Sequence, residues 1–473
     1  MMTKELQKNR EQIQYFCIDD LVPKDHLLRL IEESMDFSFI YDLVQDLYCL
    51  DNGRPSIDPV VLIKIQLIQC LYGIRSMRQT IKDIEVNVAY RWFLGLSLYA
   101  PVPHFTTFGK NYTRRFKGTD LYEKIFQKVL EECFSLGFVD DSTVFIDATH
   151  IKAAANNKKF IKKEAEKTAK YYEAALIEEI NKDREEHGKG PLKDKDGKDD
   201  SSKGSDTEEK KEKKVSTTDP ESGWFHKGEH KEVFAYCAET AVDRNGWILG
   251  YNIHPGNEHD STTFPAIYEQ IKNENLKMVV LDAGYKTPAI AKQLLDDGVE
   301  PLFPYKAPMT KKGFFKKYEY VYDEQYDCYL CPNNQILKYT TTNREGYKEY
   351  KSCSKTCAAC PFLSRCTESK NHVKVILRHV WEEYMEICED IRHTLGNKEI
   401  YELRKETVER VFGTAKEQHG LRYTMMVGKA RMEMKVGLTF ICMNLKKMVK
   451  SKLRKGLIGP YGGSNLLSKL KIA

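Results

Sequence analysis

The stretch STVFIDATH, Ser142–His150, gives the first indication of how the chain is organised. Its apolar residues have strand character and lead directly into Asp147, so a buried strand carries a carboxylate to its end. The same arrangement returns in KMVVLDAGY, Lys277–Tyr285, where an apolar strand leads into Asp282 and Gly284 would let backbone approach closely. A single Asp at a strand end is more often a helix cap or turn residue. Two of them, together with a third acid on a later helix, predict one metal site.

Neighbouring strands would bring the two carboxylates together, and shared divalent cations would make this like-charge pair tolerable. The third acid is predicted on the helix EIYELRKETVERVFGTAKEQ, Glu399–Gln418, where Glu409 shares a face with Lys405 and Lys416. The alternative for Lys405 and Glu409 is a surface ion pair. Gly413 argues against it, because a mid-helix glycine costs nearly 1 kcal/mol relative to Ala unless something must approach closely.

Cysteine usage indicates a second metal site. Six of the 13 cysteines fall between residues 328 and 366, whereas the others are scattered, which is typical of reduced thiols with one metal cluster. Two CxxC pairs about 25 residues apart predict a structural tetrahedral zinc site. Six cysteines exceed the four ligands that such a site needs, so two are spare. The six are Cys328, Cys331, Cys353, Cys357, Cys360 and Cys366.

The first part of the chain predicts helices with many cations. After a lead-in to about residue 55, helices are predicted from Asp58-Pro59 to Gly73, from Ser76 to Gly95, and from Pro103 through Phe116. Either these cations form a solvated basic face, or they belong to a helix-turn-helix-like module that contacts DNA phosphates. The predicted metal site favours the second interpretation. The cations are Arg75, Arg78, Lys82, Arg91, Lys110, Arg114, Arg115 and Lys117.

Between the two predicted acid strands lies a heavily charged segment. Lys152–His187 is predicted to be helical, and Gly188–Thr218 is a low-complexity run predicted to be disordered, with no chemistry assigned to it. Structure is predicted to resume at Trp224, with two strands joined by an Asn-Gly hairpin over Asp243–Gly246. Helix and strand then alternate to about residue 303, which indicates an α/β layer. The sequence from His254 to Asp260 could reach the metal site, but its composition first predicts a turn and a helix cap.

Bulk properties are those of a large soluble protein. The 473 residues are 30% charged and 41% apolar, with a net charge of +5, and no apolar run approaches the roughly 20 residues that a membrane span needs. The N-terminus has no apolar export segment. We therefore expect a cytoplasmic, nucleoid-associated protein with no membrane partner.

Three motifs resemble those of bacterial insertion-sequence transposases of the DDE class, in particular the eleven-eighty-two type. They are FIDATHIKA around Asp147, VVLDAGY around Asp282 and VERVFGTAK around Glu409, with the cysteine cluster between the last two. The resemblance covers nearly the whole chain except the low-complexity segment. It implies an RNase H-like catalytic domain, N-terminal DNA-binding helices, and Mg²⁺ (or Mn²⁺) held by these three acids.

Related families carry a signature Y-x2-R-x3-E-x6-K on the catalytic helix. Tyr401-x2-Arg404 and Glu409-x6-Lys416 fit it, but four residues separate Arg404 from Glu409. Lys405 is therefore a possible substitute for Arg404, and Glu406 is a rival third acid. The resemblance also implies DNA contacts by the basic residues of this helix. The predicted DNA-binding residues are Arg75, Arg78, Lys110, Arg114, Arg115, Arg404, Lys405 and Lys416.

The predicted zinc ligands are Cys331, Cys357, Cys360 and Cys366, because in the family the cysteine followed by proline recurs in the first CxxC pair. Cys328 is the first alternative, and Cys353 completes the candidate set.

The sequence thus predicts an α/β fold, an RNase H-like mixed sheet flanked by helices, with an N-terminal all-α region and a small cysteine-rich zinc-binding insertion. The predicted divisions are 1–135 (DNA-binding helices), 136–310 (first catalytic part, with a charged insertion at about 156–222), 311–372 (cysteine-rich insertion), 373–450 (helices with the third acid) and 451–473 (tail).

The predicted function is DNA transposition, namely metal-dependent cleavage at element ends and strand transfer into target DNA. The expected partner is double-stranded DNA, both the terminal inverted repeats and the target, bound by a homodimer or higher oligomer. Two alternatives share many of these features. They are a metal-dependent nuclease without strand transfer and a non-catalytic DNA-binding regulator.

Overall fold

The strand that begins at Thr143 is central to a mixed sheet in the computed structural model, which describes residues 13, 15–49, 56–164, 171–192, 212–227 and 231–459. Among these residues the sheet has six strands in the order β4-β5-β1-β7-β8. The sixth, β6, pairs with the second half of β5 on the same edge as β4, opposite β1. β2 and β3 form a separate pair. The strands to this point are β1 (Thr143–Lys152), β2 (Phe160–Glu164), β3 (Glu212–Ser216), β4 (Gly223–Lys227), β5 (Lys231–Asp243), β6 (Ile248–Pro255), β7 (Met278–Val280) and β8 (Glu300–Leu302).

Strand directions differ on the two sides of β1. β5 runs antiparallel to β1, and the predicted hairpin joins it to β6. Asp243 shapes this hairpin by accepting hydrogen bonds from the backbone N–H groups of Asn245 and Trp247, and Gly246 adopts a φ of 81°. On the other side β7 is parallel to β1 and β8 is parallel to β7, so the ends of β1 and β7 face the same edge of the sheet.

Seven helices precede the sheet in the described residues, and they share one hydrophobic core with it. The long helix α16 links the two parts. Its Cys442 thiol donates to the Leu67 carbonyl oxygen, and its Lys452 Nζ donates to the Ser34 carbonyl oxygen at 2.8 Å. The helices are α1 (Leu27–Ser34), α2 (Phe39–Val44), α3 (Pro59–Leu71), α4 (Met77–Val86), α5 (Val88–Phe93), α6 (Thr106–Asn111, continued by a π-helical turn Tyr112–Phe116) and α7 (Leu121–Ser135), with α16 at Lys429–Arg454.

Two details of this helical region differ from the prediction. The single helix predicted from Ser76 to Gly95 breaks at Asn87, whose side chain accepts the Tyr90 backbone N–H and so caps a new helix, α5. Helix α7 was not predicted, although Tyr122, Phe126 and Val129 are buried in the common core.

The charged insertion is more ordered at its two ends than predicted. Lys152–His187 was predicted to be helical, but it contains the strand β2. This strand pairs with β3, which lies in the segment predicted to be disordered. A helix, α8 (Glu173–Glu186), follows β2. The central part of the low-complexity run, residues 193–211, lies outside the described residues.

The cysteine-rich insertion forms its own sheet within residues 321–379, all of which the structure describes. Its strands lie in the order β13-β12-β11-β10-β9. The last strand ends at His379, seven residues beyond the predicted boundary at 372. The elements are β9 (Val321–Asp323), β10 (Cys328–Leu330), β11 (Ile336–Thr342), β12 (Tyr347–Lys351), α11 (Ser354–Ala358), α12 (Leu363–Cys366) and β13 (Val375–His379).

Helix α8 of the first insertion packs against this second sheet. Asp183 of α8 forms a 2.5 Å ion pair with Lys348, and His187 lies 2.7 Å from an Asp327 carboxylate oxygen. Arg184 donates to the Thr342 carbonyl oxygen at 3.0 Å. The two insertions, distant in sequence, therefore form one unit beside the main sheet.

Helices cover both faces of the main sheet. A Cβ built on Gly250 would contact Gln270 of α9, whereas the ring of the next residue, Tyr251, packs against Phe440 of α16. Because successive residues of a strand point to opposite faces, α9 and α16 lie on opposite sides of the sheet. The remaining helices are α9 (Asp260–Ile271), α10 (Pro288–Asp296), α13 (Glu382–His393), α14 (Asn397–Glu402) and α15 (Val408–Gln418). No helix in the described ranges is long and apolar enough to cross a membrane.

Candidate active site

The parallel pairing of β1 and β7 brings two predicted acids together. This ladder pairs Phe145 with Val280, and two residues further along each chain are Asp147 and Asp282. In a parallel ladder, residues at matching positions point to the same face. After burial, the charge of Asp282 also contributes to the raised pKa of Asp147, as expected for neighbouring carboxylates.

Asp147 is mostly buried and paired with a cation. Burial raises the pKa of its carboxyl group to about 6, although the guanidinium of Arg404 opposes the shift. Arg404 Nη2 lies 2.7 Å from Asp147 Oδ2, and Arg404 Nη1 donates to the Tyr401 hydroxyl at 3.0 Å. Tyr401 and Arg404, the first half of the predicted signature, thus form one contact chain ending at Asp147. Arg404 is only 7% exposed, so it is not on the open surface where a DNA-binding residue was expected.

A third carboxylate at this site was not assigned from the sequence. Asp260 opens α9, where His259 provides the cap by accepting the Ser261 backbone N–H. A Cβ built on Gly284 would lie 3.0 Å from Asp282 Oδ1 and 3.3 Å from Asp260 Oδ2, so both carboxylates converge on this glycine. Burial raises the pKa of Asp260, and the charge of Asp282 raises it further. The acidic end of the His254–Asp260 loop was the sequence signal for this residue.

Glu239 adds a fourth acid close by. It is fully buried on β5, and the Tyr285 hydroxyl donates to its Oε1 at 2.9 Å. Burial raises its pKa to about 8, and the charge of Asp260 contributes to the shift. Its one sequence signal was a carboxylate in the middle of an otherwise apolar strand.

The predicted catalytic helix is broken rather than continuous. α14 ends at Glu402, a 3₁₀ turn follows over Leu403–Lys405, and α15 starts after Thr407. Glu409 is exposed in the first turn of α15. The close approach expected at Gly413 is absent, because a Cβ built there would meet nothing within 4 Å in the described residues.

The rival acid, Glu406, faces a different part of the molecule. It lines a cavity of about 380 Å³ together with Arg410 and with Asn245 of the β5–β6 hairpin. That hairpin lies beside the start of β1, where Val144 pairs with Asp243, and Asp147 lies further along the strand. Glu406 therefore points away from the Asp147–Asp282 pair.

Three of the four predicted zinc ligands are neighbours. The thiols of Cys357 and Cys331 raise the pKa of Cys366 beyond the effect of burial. The sulfur of the fourth predicted ligand, Cys360, lies 3.6 Å from Nδ2 of Asn333, which is two residues beyond Cys331. No three sulfur atoms of the insertion, all within the described residues, lie within 4.8 Å of one another, so they would have to close around an ion.

The two other cysteines of the insertion have different surroundings. Cys328 is buried in β10 near Asp323 and Asp327, and burial is the main cause of its raised pKa. Cys353 is exposed before α11.

Most of the predicted DNA-binding cations are on the surface. Arg75, Lys110, Arg114 and Lys405 are exposed, as is Arg78, which lies over the Phe105 ring. Arg115 and Lys416 are partly buried, with Arg115 bonded to Asn111.

Arg91, one of the cations of the expected basic face, is not on it. It is 7% exposed and donates to the carbonyl oxygens of Ser97 and Ala100. Arg91 therefore stabilises the turn after α5.

Two segments of the chain match transposase families. Residues 16–114 match the family described as "Transposase domain (DUF772)", and residues 330–449 match "Transposase DDE domain". The second segment contains Glu409 and five of the six clustered cysteines, all except Cys328. No curated protein matches the chain.

Weak likenesses to solved structures are also found. The piggyBac transposase synaptic complex with hairpin DNA has a TM-score of 0.35 and 9% identity, covering 91% of this chain and 76% of that one. A Mos1 transposase paired-end complex with the left transposon end has a TM-score of 0.15 and 9% identity, covering 54% of this chain and 61% of that one. Since these TM-scores are below 0.5, the two family matches carry the assignment.

Proposed function

We propose that this chain, which is a DNA transposase of the DDE class, cuts and joins DNA strands at a magnesium site formed by Asp147, Asp282 and Glu409. The observation that carries the proposal is the parallel pairing of β1 with β7, since it sets two carboxylates side by side at one edge of a sheet. The strand order β6-β5-β1-β7-β8, in which β6 and β1 run antiparallel to β5, supports an RNase H-like fold for this part of the chain.

The direction of α15 supports Glu409 as the third acid. Arg404 contacts Asp147 before the helix begins. Near the end of the helix, the charge of Lys416 partly opposes the rise that burial causes in the pKa of Cys237. Cys237 pairs with His150, three residues beyond Asp147 on β1. Seven helical residues and three strand residues each span about 10 Å, which supports a position for Glu409 near the level of Asp147. Glu406 faces the opposite side, toward the hairpin.

The residues fit a hard divalent cation. Asp147 and Asp282 offer oxygen ligands, which Mg²⁺ and Mn²⁺ prefer. Burial raises the pKa of Asp147, and a bound cation would favour the charged form of this carboxylate. Magnesium held by these acids would supply charge stabilisation for the attacking and leaving oxygens of an in-line displacement. The two carboxylate oxygens of Asp147 have different partners. Oδ2 is held by the guanidinium of Arg404, and Oδ1 accepts a hydrogen bond from the Ala148 backbone N–H.

In this proposal the DNA is contacted by cations that are exposed or, in the case of Lys416, partly buried. Arg75, Arg78, Lys110 and Arg114 on the N-terminal helices would contact phosphates of the terminal repeats, and Lys405 and Lys416 would contact phosphates near the cut. A transposase that acts on two element ends and a target DNA would need at least a homodimer assembled on DNA.

The cysteine insertion would hold one structural zinc ion through Cys331, Cys357, Cys360 and Cys366. Four thiolates form a tetrahedral donor set suited to zinc, and the contribution of Cys357 and Cys331 to the raised pKa of Cys366 supports the proximity of these three thiols.

The decisive experiment compares Asp147→Asn, Asp282→Asn and Glu409→Gln with Glu406→Gln as the matched control. In magnesium, the first three variants should lose cleavage of an end-containing duplex by orders of magnitude, whereas the control should retain it. Joining of a pre-cut end to target DNA should fall in parallel, which separates a transposase from a nuclease. Salt-dependent DNA binding should persist in all four variants. Normal cleavage by Glu409→Gln combined with its loss in Glu406→Gln would refute the assignment of the third acid.

A further inference from the structure

Cys237, His254 and Asp260 bring three different ligand atoms together beside the proposed active site. Cys237 on β5 and His254 on β6 occupy directly paired positions, and Asp260 opens the helix that covers this face. One ligand atom from each lies within 4.8 Å of the others. Among the described residues this is the one group of three His, Cys, Asp or Glu side chains that meets this spacing.

The hydrogen bonding of His254 leaves its other ring nitrogen free to bind a metal. Nδ1 lies 3.3 Å from the Pro255 carbonyl oxygen, which can only accept, so Nδ1 carries the proton. Nε2 is therefore a lone-pair donor, and it has no hydrogen-bond partner although the side chain is 2% exposed. A backbone carbonyl on one ring nitrogen is the usual arrangement for a histidine that binds metal through the other.

We propose that Cys237, His254 and Asp260 bind one zinc ion, distinct from both the magnesium site and the four-cysteine site. A sulfur, a nitrogen and an oxygen donor suit zinc, whereas magnesium takes oxygen ligands. Zinc bonds of about 2.0–2.3 Å lie within reach of atoms this close after small side-chain rotations.

Simple packing explains this group less well. A buried histidine nitrogen without a hydrogen-bond partner is destabilising, and here a thiol and a carboxylate lie close enough to complete a coordination shell. His419 offers the contrast, because it too is buried with an unpartnered Nε2 but belongs to no such group of three ligands in the described residues.

A zinc ion at this position would also act on the neighbouring acids. Asp260 Oδ2 shares the space beside Gly284 with Asp282, and the charge of Asp260 raises the pKa of Glu239. Two positive charges bound to Asp260 would reduce the repulsion among these carboxylates and fix the start of α9.

The first test is the zinc content of reduced, full-length protein purified in magnesium buffer. Cys237→Ser and His254→Gln should each contain about one zinc per chain less than the unmodified protein. Cys133→Ser and His419→Gln are matched controls, since both residues are equally buried, and they should retain the full content. Unchanged zinc in the first two variants, or an equal loss in the controls, would overturn the proposal.

The second test needs no substitution and so does not depend on folding of a variant. X-ray absorption at the zinc edge of the unmodified protein should show nitrogen or oxygen ligands together with sulfur. Sulfur alone would assign all zinc to the cysteine insertion and would overturn the proposal. Zinc that millimolar magnesium displaces would equally overturn it, because such an ion would occupy the oxygen site.

Discussion

The two sheets of this protein differ in what holds them together. The main sheet belongs to a hydrophobic core that runs without interruption through the N-terminal helices and α16. The sheet of the cysteine insertion buries a core of its own with only six members, four of them tyrosine or phenylalanine. These are Phe315, Tyr320, Tyr329, Leu337, Tyr350 and Ile376. Residues of the first sheet are positioned by strand register, whereas the second needs additional links.

Polar contacts supply some of these links. The Asp327 carboxylate accepts hydrogen bonds from the Tyr322 and Tyr350 hydroxyls and contacts His187 of α8. These bonds tie β9, β12 and the first insertion together. The difference indicates that metal should matter for folding in the cysteine insertion and mainly for chemistry in the main sheet.

The largest effect is expected from removing two ligands of the cysteine insertion. Cys357→Ser combined with Cys360→Ser should abolish amide-exchange protection in β9–β13 while β1 and β5 keep theirs. Structural zinc contributes about 10–16 kcal/mol in small zinc domains, far more than a core this small can replace. Hydrogen exchange followed by mass spectrometry measures both regions at once. Cys353→Ser, at an exposed cysteine, is the control, and retained protection in the double variant would contradict the zinc assignment.

A smaller effect is expected in the main sheet when Arg404 is changed to Gln. Asp147 would then be a buried carboxylate without its ion-pair partner, which typically costs about 3–5 kcal/mol. Urea unfolding with chelator present should show this loss, and magnesium should restore part of it because a cation replaces the guanidinium charge. The neighbouring, exposed Lys405→Gln should stay within about 0.5 kcal/mol of the unmodified protein. Equal stability of both variants would show that the ion pair contributes nothing.

The next effect is a pH dependence within the helical part of the main core. Burial, followed by the charge of Lys446, lowers the pKa of His419 to about 4, while its Nδ1 remains 2.8 Å from the Cys70 carbonyl oxygen. Between pH 6.5 and 4 the unfolded chain binds a proton that the folded chain does not. Titration of His419 therefore lowers the free energy of unfolding as pH falls through that window, by at most about 3 kcal/mol.

His419→Gln should flatten the loss of stability between pH 6.5 and 4 relative to the unmodified protein. Denaturant unfolding at several pH values in this range measures the difference. His393→Gln, at an exposed histidine, should leave the slope unchanged. Identical slopes for His419→Gln and the unmodified protein would show that His419 titrates alike in the folded and unfolded chains.

Elements with a strong local pattern could be predicted from the sequence. The apolar strands before Asp147 and Asp282 and the Asn-Gly hairpin need only side-chain alternation and turn chemistry, and all three are present. The β2–β3 pair was missed because its two strands are highly charged and lie almost 50 residues apart in the sequence. Charge patterns say little about a partner strand so distant along the chain.

A site residue could be predicted only where the local sequence of one strand or helix fixes its position. Asp147 and Asp282 were visible because each ends its own strand. Arg404 reaches Asp147 only because the chain breaks at Thr407 and re-aims the preceding turn, and nothing local in the sequence signals that break. Asp260 lies in a stretch whose composition predicts a turn. Its position at the site depends on the close approach of Gly284, which comes from another segment.

The smallest effect is expected from the central part of the low-complexity run. Its composition, rich in Lys, Asp, Ser and Gly, predicts that residues 193–211 contribute little to stability. Replacing them with a short Gly/Ser linker should change the free energy of unfolding by about 0.5 kcal/mol or less, since loop length enters only logarithmically. Thermal unfolding with hydrogen exchange in β11 measures the result.

Extending that replacement to residues 188–218 is the matched comparison, and it should have a larger cost. It removes Lys189, which donates to the Thr340 carbonyl oxygen of β11, and it removes all of β3. Exchange protection in β11 and β2 should fall in the longer variant and stay unchanged in the shorter one. A loss of more than about 2 kcal/mol in the shorter variant would mean that residues 193–211 themselves stabilise the cysteine sheet. The small core of that sheet would then have a further source of support besides zinc and α8.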